Sequence, residues 1–229
     1  MNKAAIIQPS FIPWRGFFDI IHDVDVFVFL DDVQYTKQDW RNRNRIKTPG
    51  GTKWISVPVV GGTKQLIHET RIDYSQDWRT RHIKTIHHSY AASPFYTSYR
   101  DTLLQIYKEK FETISELNIF ATKLISRLLG IDVEYVRSTD LRTEGAKDDK
   151  LIDICNKIGA DVCLSGPKAQ NYIDVAKFEH AGILLVYKNY DSYPEYPQLW
   201  GAYDLYVSVI DLLFNCGENS PYFTWGWRQ

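Results

Sequence analysis

Residues 3–30 read KAAIIQPSFIPWRGFFDIIHDVDVFVFL. Ala4-Ala5-Ile6-Ile7 is a short apolar run of the kind that forms a buried strand. Gln8-Pro9-Ser10-Phe11-Ile12-Pro13 is punctuated by proline and reads as a loop. Phe17, Phe18, Ile20 and Ile21 then recur at helical spacing, and Val26-Phe27-Val28-Phe29-Leu30 is a second buried strand ending in Asp31-Asp32. Strand, loop, helix and strand within about thirty residues is the size of a parallel βαβ unit. The expected fold class is therefore α/β, with a Rossmann-like parallel sheet.

The C-terminal third returns to the same rhythm. Val133–Val136 reads as a strand and Asp148–Ile158 as a helix with Leu151, Ile154, Cys155 and Ile158 inward. Asp161–Leu164 is a strand, Lys168–His180 a helix and Ile183–Val186 a strand. Strands alternating with helices predict a sheet covered on both faces. Residues 33–130 interrupt the alternation. There Trp54–Val59 and Glu69–Ile72 flank Gly61-Gly62 and predict a hairpin. Helices are predicted over Asp77–Tyr90, Ser98–Lys110 and Ser115–Leu129, the last capped by Ser115 and ended by Gly130. The chain is read as one domain, 1–229, with 33–130 inserted as a hairpin-plus-helical lid. Residues 187–229 carry twelve aromatics and are predicted to wrap back, with Ser208–Phe214 helical.

Composition excludes several classes. Lys+Arg is 27 and Asp+Glu 28, so the net charge is −1; a nucleic-acid partner, which usually demands a basic excess, is not expected. The three cysteines form no CxxC pair, which argues against a thiolate metal site or a disulfide framework. No apolar run is long enough for a membrane span and the N-terminus lacks a secretory core, so a cytoplasmic location is expected. Aromatics, 14% of the chain, fit a filled core or a cleft for a planar or sugar ligand.

In a parallel α/β sheet, ligands collect at the carboxyl ends of the strands, and three segments fall there. In QPSFIPWRGFF (8–18), Gln8 is a polar orienter, Trp14 an N–H donor, Arg15 a charge-assisted donor, and Gly16 lets the backbone approach a phosphate at a helix N-terminus. A proline-stiffened loop whose aromatics plug the core explains the same residues as well. In DDVQYTKQDWRNRNRIK (31–47), Arg41, Arg43 and Arg45 are spaced by two and share one face of an extended chain, with Gln34 and Lys37 nearby. Such a row suits a diphosphate. Asp31 and Asp32 could hold Mg²⁺ or a sugar hydroxyl. Most charge runs are solvated turns, but Tyr35, Trp40 and Trp54 interleave with this one and favour a site. In LSGPKAQ (164–170), Ser165 and Gly166 offer open N–H groups before a helix and Lys168 reaches the same anion; a plain helix start is the competing account. Asp32 and His82 are the candidate acid–base residues. Cys216 lacks any local basis for a lowered pKa and is read as a structural thiol.

The runs IIQPSFIPWRGFFDII, VFVFLDDVQYTKQDWRNRNRIK, LSGPKAQNYID and SVIDLLFNCG resemble the WbqC-like family, over residues 4 to about 217. The resemblance implies a place among bacterial surface-polysaccharide or O-antigen functions. More distantly, Pro13-Trp14-Arg15-Gly16-Phe17 sits where nucleotidylyltransferase-like α/β folds place Pro-His-x-Gly-His, and Leu164–Lys168 where they place a phosphate loop. Trp14 and Phe17 replace both signature histidines, so the charge those supply would have to come from Arg15 and the Arg41/Arg43/Arg45 row. The expected function is a transferase or ligase that modifies a nucleotide-linked amino sugar with a small acyl or aminoacyl group. ATP with Mg²⁺ is an admissible co-substrate, no resident metal is expected, and a homodimer is allowed. The alternatives are a nucleotidylyltransferase and a non-catalytic nucleotide-sugar binding protein.

Overall fold

The computed structural model of the protein describes residues 1–228. The chain opens with β1 (Lys3–Ile7), α1 (Arg15–His22) and β2 (Val26–Phe29), then β3 (Arg43–Thr48) and β4 (Gly51–Ser56). Four helices follow: α2 (Trp78–Tyr90), α3 (Tyr96–Leu103), α4 (Gln105–Lys108) and α5 (Ile114–Leu128). Alternation resumes with β5 (Glu134–Arg137), α6 (Asp148–Lys157), β6 (Val162–Ser165), α7 (Val175–His180) and β7 (Leu184–Tyr187), and the chain closes with α8 (Val209–Cys216) and α9 (Ser220–Thr224).

Five strands form one parallel sheet in the order β5-β2-β1-β6-β7. This is the Rossmann-like α/β architecture expected from residues 3–30. Period-two alternation divides the central strands between two cores, whereas edge strand β7 leaves Leu184 and Val186 exposed. Ala5, Phe27, Phe29 and Leu164 face the core built by α1, α5 and α8, through residues such as Phe18, Leu117, Ile125 and Leu213. Ala4, Val26, Val28 and Cys163 face the other, closed by Ile154 and Cys155 of α6 and Phe178 of α7. Both sides of the central strands are therefore dry, which is why they read as continuous apolar runs.

Several local expectations are corrected. The hairpin pairs β3 with β4, from Arg43↔Ser56 to Thr48↔Gly51, and turns at Pro49-Gly50, with Gly51 at φ +102°; of the expected 54–59/69–72 pairing only an isolated Val59↔Ile72 bridge exists. The helix expected over 98–110 is broken into α3 and α4 at Leu104. The cap of α5 is Thr113, in a reciprocal box with Glu116, while Ser115 is buried and turned toward Asp31. The helix expected over 168–180 is a 3-10 turn, Pro167–Asn171, followed by α7. Cys155, Cys163 and Cys216 are free and buried. Among the described residues no helix is long and apolar enough to cross a membrane.

Candidate functional site

The strand order reverses at β1: β2 and β5 lie to one side, β6 and β7 to the other. Open α/β sheets bind ligands at this switch point, outside the carboxyl ends of the strands. Here the β1–β6 ladder has only two residue pairs, Lys3↔Val162 and Ala4↔Cys163, whereas each of the other three ladders has four. Pairing thus stops before either strand ends, and the chain leaves the sheet at Gln8 on one side and at Ser165-Gly166 on the other.

Gln8 is held from the hairpin side. The Arg41 guanidinium donates to Gln8 Oε1 and forms an ion pair with Asp39, Nη2 to Oδ2 3.2 Å. Burial works against the Asp39 carboxylate, but the Thr36 hydroxyl and the charges of Arg41 and Arg43 hold it below the usual range. Asn118 of α5 donates to the Arg41 carbonyl at 2.7 Å and to the Pro9 carbonyl at 3.4 Å, so one amide fastens both loops. Asn44 donates to the carbonyls of Phe11 and Ile12 (3.0 and 2.9 Å), and Ser208 to that of Ile12 (2.7 Å). Those bonds hold Ile12 at φ +35°, a strained setting for a β-branched residue.

On β3, Asn44 and Ile46 turn inward, leaving Arg43 and Arg45 on the opposite side. Arg45 is engaged by Asp204 (3.5 Å) and the Tyr206 carbonyl (3.2 Å). Arg43 lies 4.2 Å over the Trp54 ring and makes no ion pair among the described residues. Lys37 is exposed, and Gln34 donates to the Thr63 carbonyl at 2.7 Å.

Asp31 and Asp32, at the end of β2, are spoken for. Asp31 is fully buried and accepts from Arg137 Nε (3.0 Å) and Nη2 (2.8 Å), Ser115 (2.7 Å), Thr139 (3.2 Å) and Ser138 (3.4 Å). Asp32 accepts from Ser138 (2.5 Å) and Thr143 (2.8 Å) and pairs with Lys150 (2.6 Å). Partial burial raises its pKa, yet Lys150 and the two hydroxyls outweigh that and keep the carboxylate below its ordinary range. So low a pKa makes Asp32 a weak base at neutral pH. Together the two acids latch β2 to the segment after β5. Among the described residues no group of three or more His, Cys, Asp or Glu could hold a metal ion.

The remaining candidates divide between rim and core. Arg15 is 2% exposed and points into the C-terminal segment. It donates to the carbonyls of Pro194 (2.9 Å) and Phe223 (2.8 Å) and to Tyr203 Oη (2.7 Å), and stacks 4.6 Å from the Tyr193 ring. Trp14 packs edge-on against Tyr190 at 4.9 Å. A Cβ on Gly16 would stand 2.3 Å from the Trp14 ring, so the glycine there is already required by packing. His82 is buried among Phe11, Trp78 and Tyr107, and burial lowers its pKa to about 4, leaving it neutral. Ser165 is half-buried and Lys168 exposed. A Cβ on Gly166 would meet nothing within 4 Å, and its φ of −73° needs no glycine, so the space beside it is open. The short 3-10 turn that follows has no α-helical dipole to offer an anion.

The structure thus joins Arg41 to Gln8 and sets Arg43 over Trp54, while Ser165 and Gly166 stand at the end of β6. It sends Arg15 and His82 into the core. Sequence reasoning missed Asn44, Asn118, Arg137, Ser138 and Lys150. Arg137-Ser138 carried a usable signal, because they directly follow a predicted strand in a parallel sheet.

A sequence model of the WbqC-like protein family matches residues 8–222. The uncharacterized protein Rv1507c of Mycobacterium tuberculosis (strain ATCC 25618 / H37Rv) is 42% identical over 224 residues, which cover 96% of each chain. No solved structure matches. With that span and that relative, the chain belongs to the WbqC-like protein family.

Proposed function

We propose that the protein is a transferase or ligase that joins a small acyl or aminoacyl group, as an amide, to a nucleotide-linked amino sugar. Family membership suggests a polysaccharide-associated role, and the finer assignment is our own. The observation that carries it is the bond from Arg41 to Gln8, which ties the arginine-bearing hairpin to the end of the central strand at the switch point. Arg43, without an ion pair among the described residues, and Lys37 supply charge for a diphosphate, and the Gly166 amide and Ser165 hydroxyl supply donors at the end of β6. The strain at Ile12, fixed by Asn44 and Ser208, lies in the first βα loop, where functional sites concentrate such conformations. In the ligase form, ATP with Mg²⁺ is the co-substrate that activates the acyl group. With Asp31 latched, Asp32 held ionised and His82 buried, this chain would contribute by positioning the amine and acyl groups and by stabilising charge.

The same engaged acids favour a second reading, a non-catalytic nucleotide-sugar binding protein, because each carboxylate or imidazole expected to act at this rim is latched, paired or buried. A thermal-shift screen of nucleotide sugars tests the shared premise. A ligand at a hundred times its Kd adds about 2.7 kcal/mol of apparent stability. Arg43→Ala should abolish that gain; a gain equal to that of the unaltered protein would refute the site. Incubation of the binding ligand with ATP and amino acids, followed by mass spectrometry for a new amide, separates enzyme from binder.

A further inference from the structure

We infer that Trp40 and Trp54 are the base-stacking end of this site, so that a nucleotide sugar lies with its base on the hairpin and its sugar toward Gln8. The inference rests on the functional reading above and gives the ligand a direction. Of the seven tryptophans, only Trp40 and Trp54 are well exposed, at 41% and 42%. They stand side by side, with ring centroids 5.3 Å apart at an interplanar angle of 41°. Two adjacent indoles left in water forgo the stabilisation their burial would bring. A flat partner laid on one of them would recover part of it, while the tilted neighbour closes one side.

Three contacts place this pair relative to the rim. The Trp40 carbonyl accepts from Phe11 N at 2.8 Å, which fixes the ring's backbone to the loop after β1. The next residue, Arg41, reaches Gln8. Trp54 lies opposite Arg45 in the hairpin register and beneath the Arg43 guanidinium. Arg41 thus meets the Gln8 amide at the β1 end, and Arg43 meets the indole pair on the hairpin. A nucleotide sugar carries parts that match these groups, with polar sugar, diphosphate and planar base. Every nucleobase has a π-face, so stacking gives affinity with little dependence on which base is present.

The test compares nucleoside diphosphates with inorganic pyrophosphate, which keeps the charge and lacks the base. Uridine, guanosine, thymidine and adenosine diphosphates and pyrophosphate are titrated by calorimetry into the full chain and into Trp54→Leu, Trp40→Leu, the double Phe variant and Arg43→Ala. The unaltered protein should prefer at least one nucleoside diphosphate over pyrophosphate by about tenfold. Trp54→Leu and Trp40→Leu should erase that preference without changing pyrophosphate affinity, and the Phe variant should restore most of it. Arg43→Ala should weaken all five probes alike. If both Leu variants keep the preference, the stacking assignment is overturned while the diphosphate site stands. If the unaltered chain binds none of the probes, both fall. Far-ultraviolet circular dichroism confirms that each variant is folded. Should a Leu variant unfold, quenching of tryptophan emission by the preferred diphosphate is compared in the single Phe variants instead; reduced quenching in either supports the assignment, and equal quenching in both and in the unaltered chain overturns it.

Discussion

Gly16→Ala separates two accounts of the first βα loop. In one, the glycine lets a phosphate approach the backbone; in the other, it makes room for Trp14. The added Cβ would lie 2.3, 2.4 and 2.7 Å from three carbons of the Trp14 ring, against about 3.5–4.0 Å for a relaxed carbon contact. The ring must therefore retreat by more than 1 Å, on the order of the difference between those distances. Its retreat is opposed by Tyr190 at 4.9 Å, Tyr206 at 5.5 Å and Tyr193 at 6.0 Å. Overpacking of this kind costs about 1–3 kcal/mol. Alanine's better helix propensity at the start of α1 returns at most about 0.5–1 kcal/mol. The net loss should be about 1–2 kcal/mol, a fall in Tm of roughly 2–8 °C for a chain of this size. Urea denaturation followed by far-ultraviolet circular dichroism measures it, and the near-ultraviolet spectrum should change with the aromatic cluster. Pyrophosphate affinity should hold. Unchanged stability together with lost pyrophosphate binding would refute the packing account and return Gly16 to the phosphate.

Three further outcomes are expected. Burial lowers the His82 pKa from 6.5 to about 4, so its stabilisation is lost as pH falls through that window; burial raises Asp211 from 3.8 to about 6, so its penalty is relieved as pH falls through nearly the same one. Each is worth about 3 kcal/mol and they oppose, so His82→Phe should gain stability relative to the unaltered chain between pH 6 and pH 4, and Asp211→Asn should lose it; parallel profiles from denaturation at several pH values would contradict both. Lys188→Met removes one cation, at 2.8 Å, from Asp19, which is 1% exposed, but leaves it Arg228 at 2.5 Å and the Tyr193 hydroxyl, so the cost in urea should fall below the about 3–5 kcal/mol of an uncompensated buried charge, while the partly exposed Arg45–Asp204 pair should yield less than about 1 kcal/mol in a double-mutant cycle. Thr113→Ala should cost about 1 kcal/mol by removing the cap of α5, whereas Ser115→Ala should act instead through the Asp31 latch and not on peptide helicity in an isolated 112–129 fragment.

Legibility in the sequence follows apolar periodicity. Val26–Phe29 announces a strand buried on both faces, and α6 declares itself through Ile154 and Cys155 with Gly159 just beyond. Where periodicity is carried by polar residues, it misleads. The segment Arg43–Thr48 reads RNRIKT; its extended character is visible in the arginine spacing, but not that it pairs across Pro49-Gly50. Gly61-Gly62 looks the better turn because apolar residues flank it. Ser115 looks like a cap because hydroxyls cap helices, yet Thr113 has Glu116 three residues on and so closes the reciprocal box. Arg15 cannot be aimed from sequence: its partners, Pro194, Tyr203 and Phe223, are neutral groups about 180 to 210 positions away. The arginine row is legible as a face, whereas which arginine lacks an ion pair depends on Asp39, two residues before Arg41, and on Asp204, which only folding brings near.

The seam between β1 and β6 also governs how the polypeptide can be made. Asn2 and Asp161, which bond across it, are 159 positions apart, while Lys3 reaches Asp25, on the other flank, across only 22. At about 5–20 residues per second, a nascent chain has one neighbour for its first strand within seconds and waits roughly 8–30 s for the second. Through that interval the middle of the future sheet is an open, oily margin. A ribosome stalled before β6 should therefore hand chaperones a sticky intermediate, and a short, two-rung seam is a modest closure to complete so late.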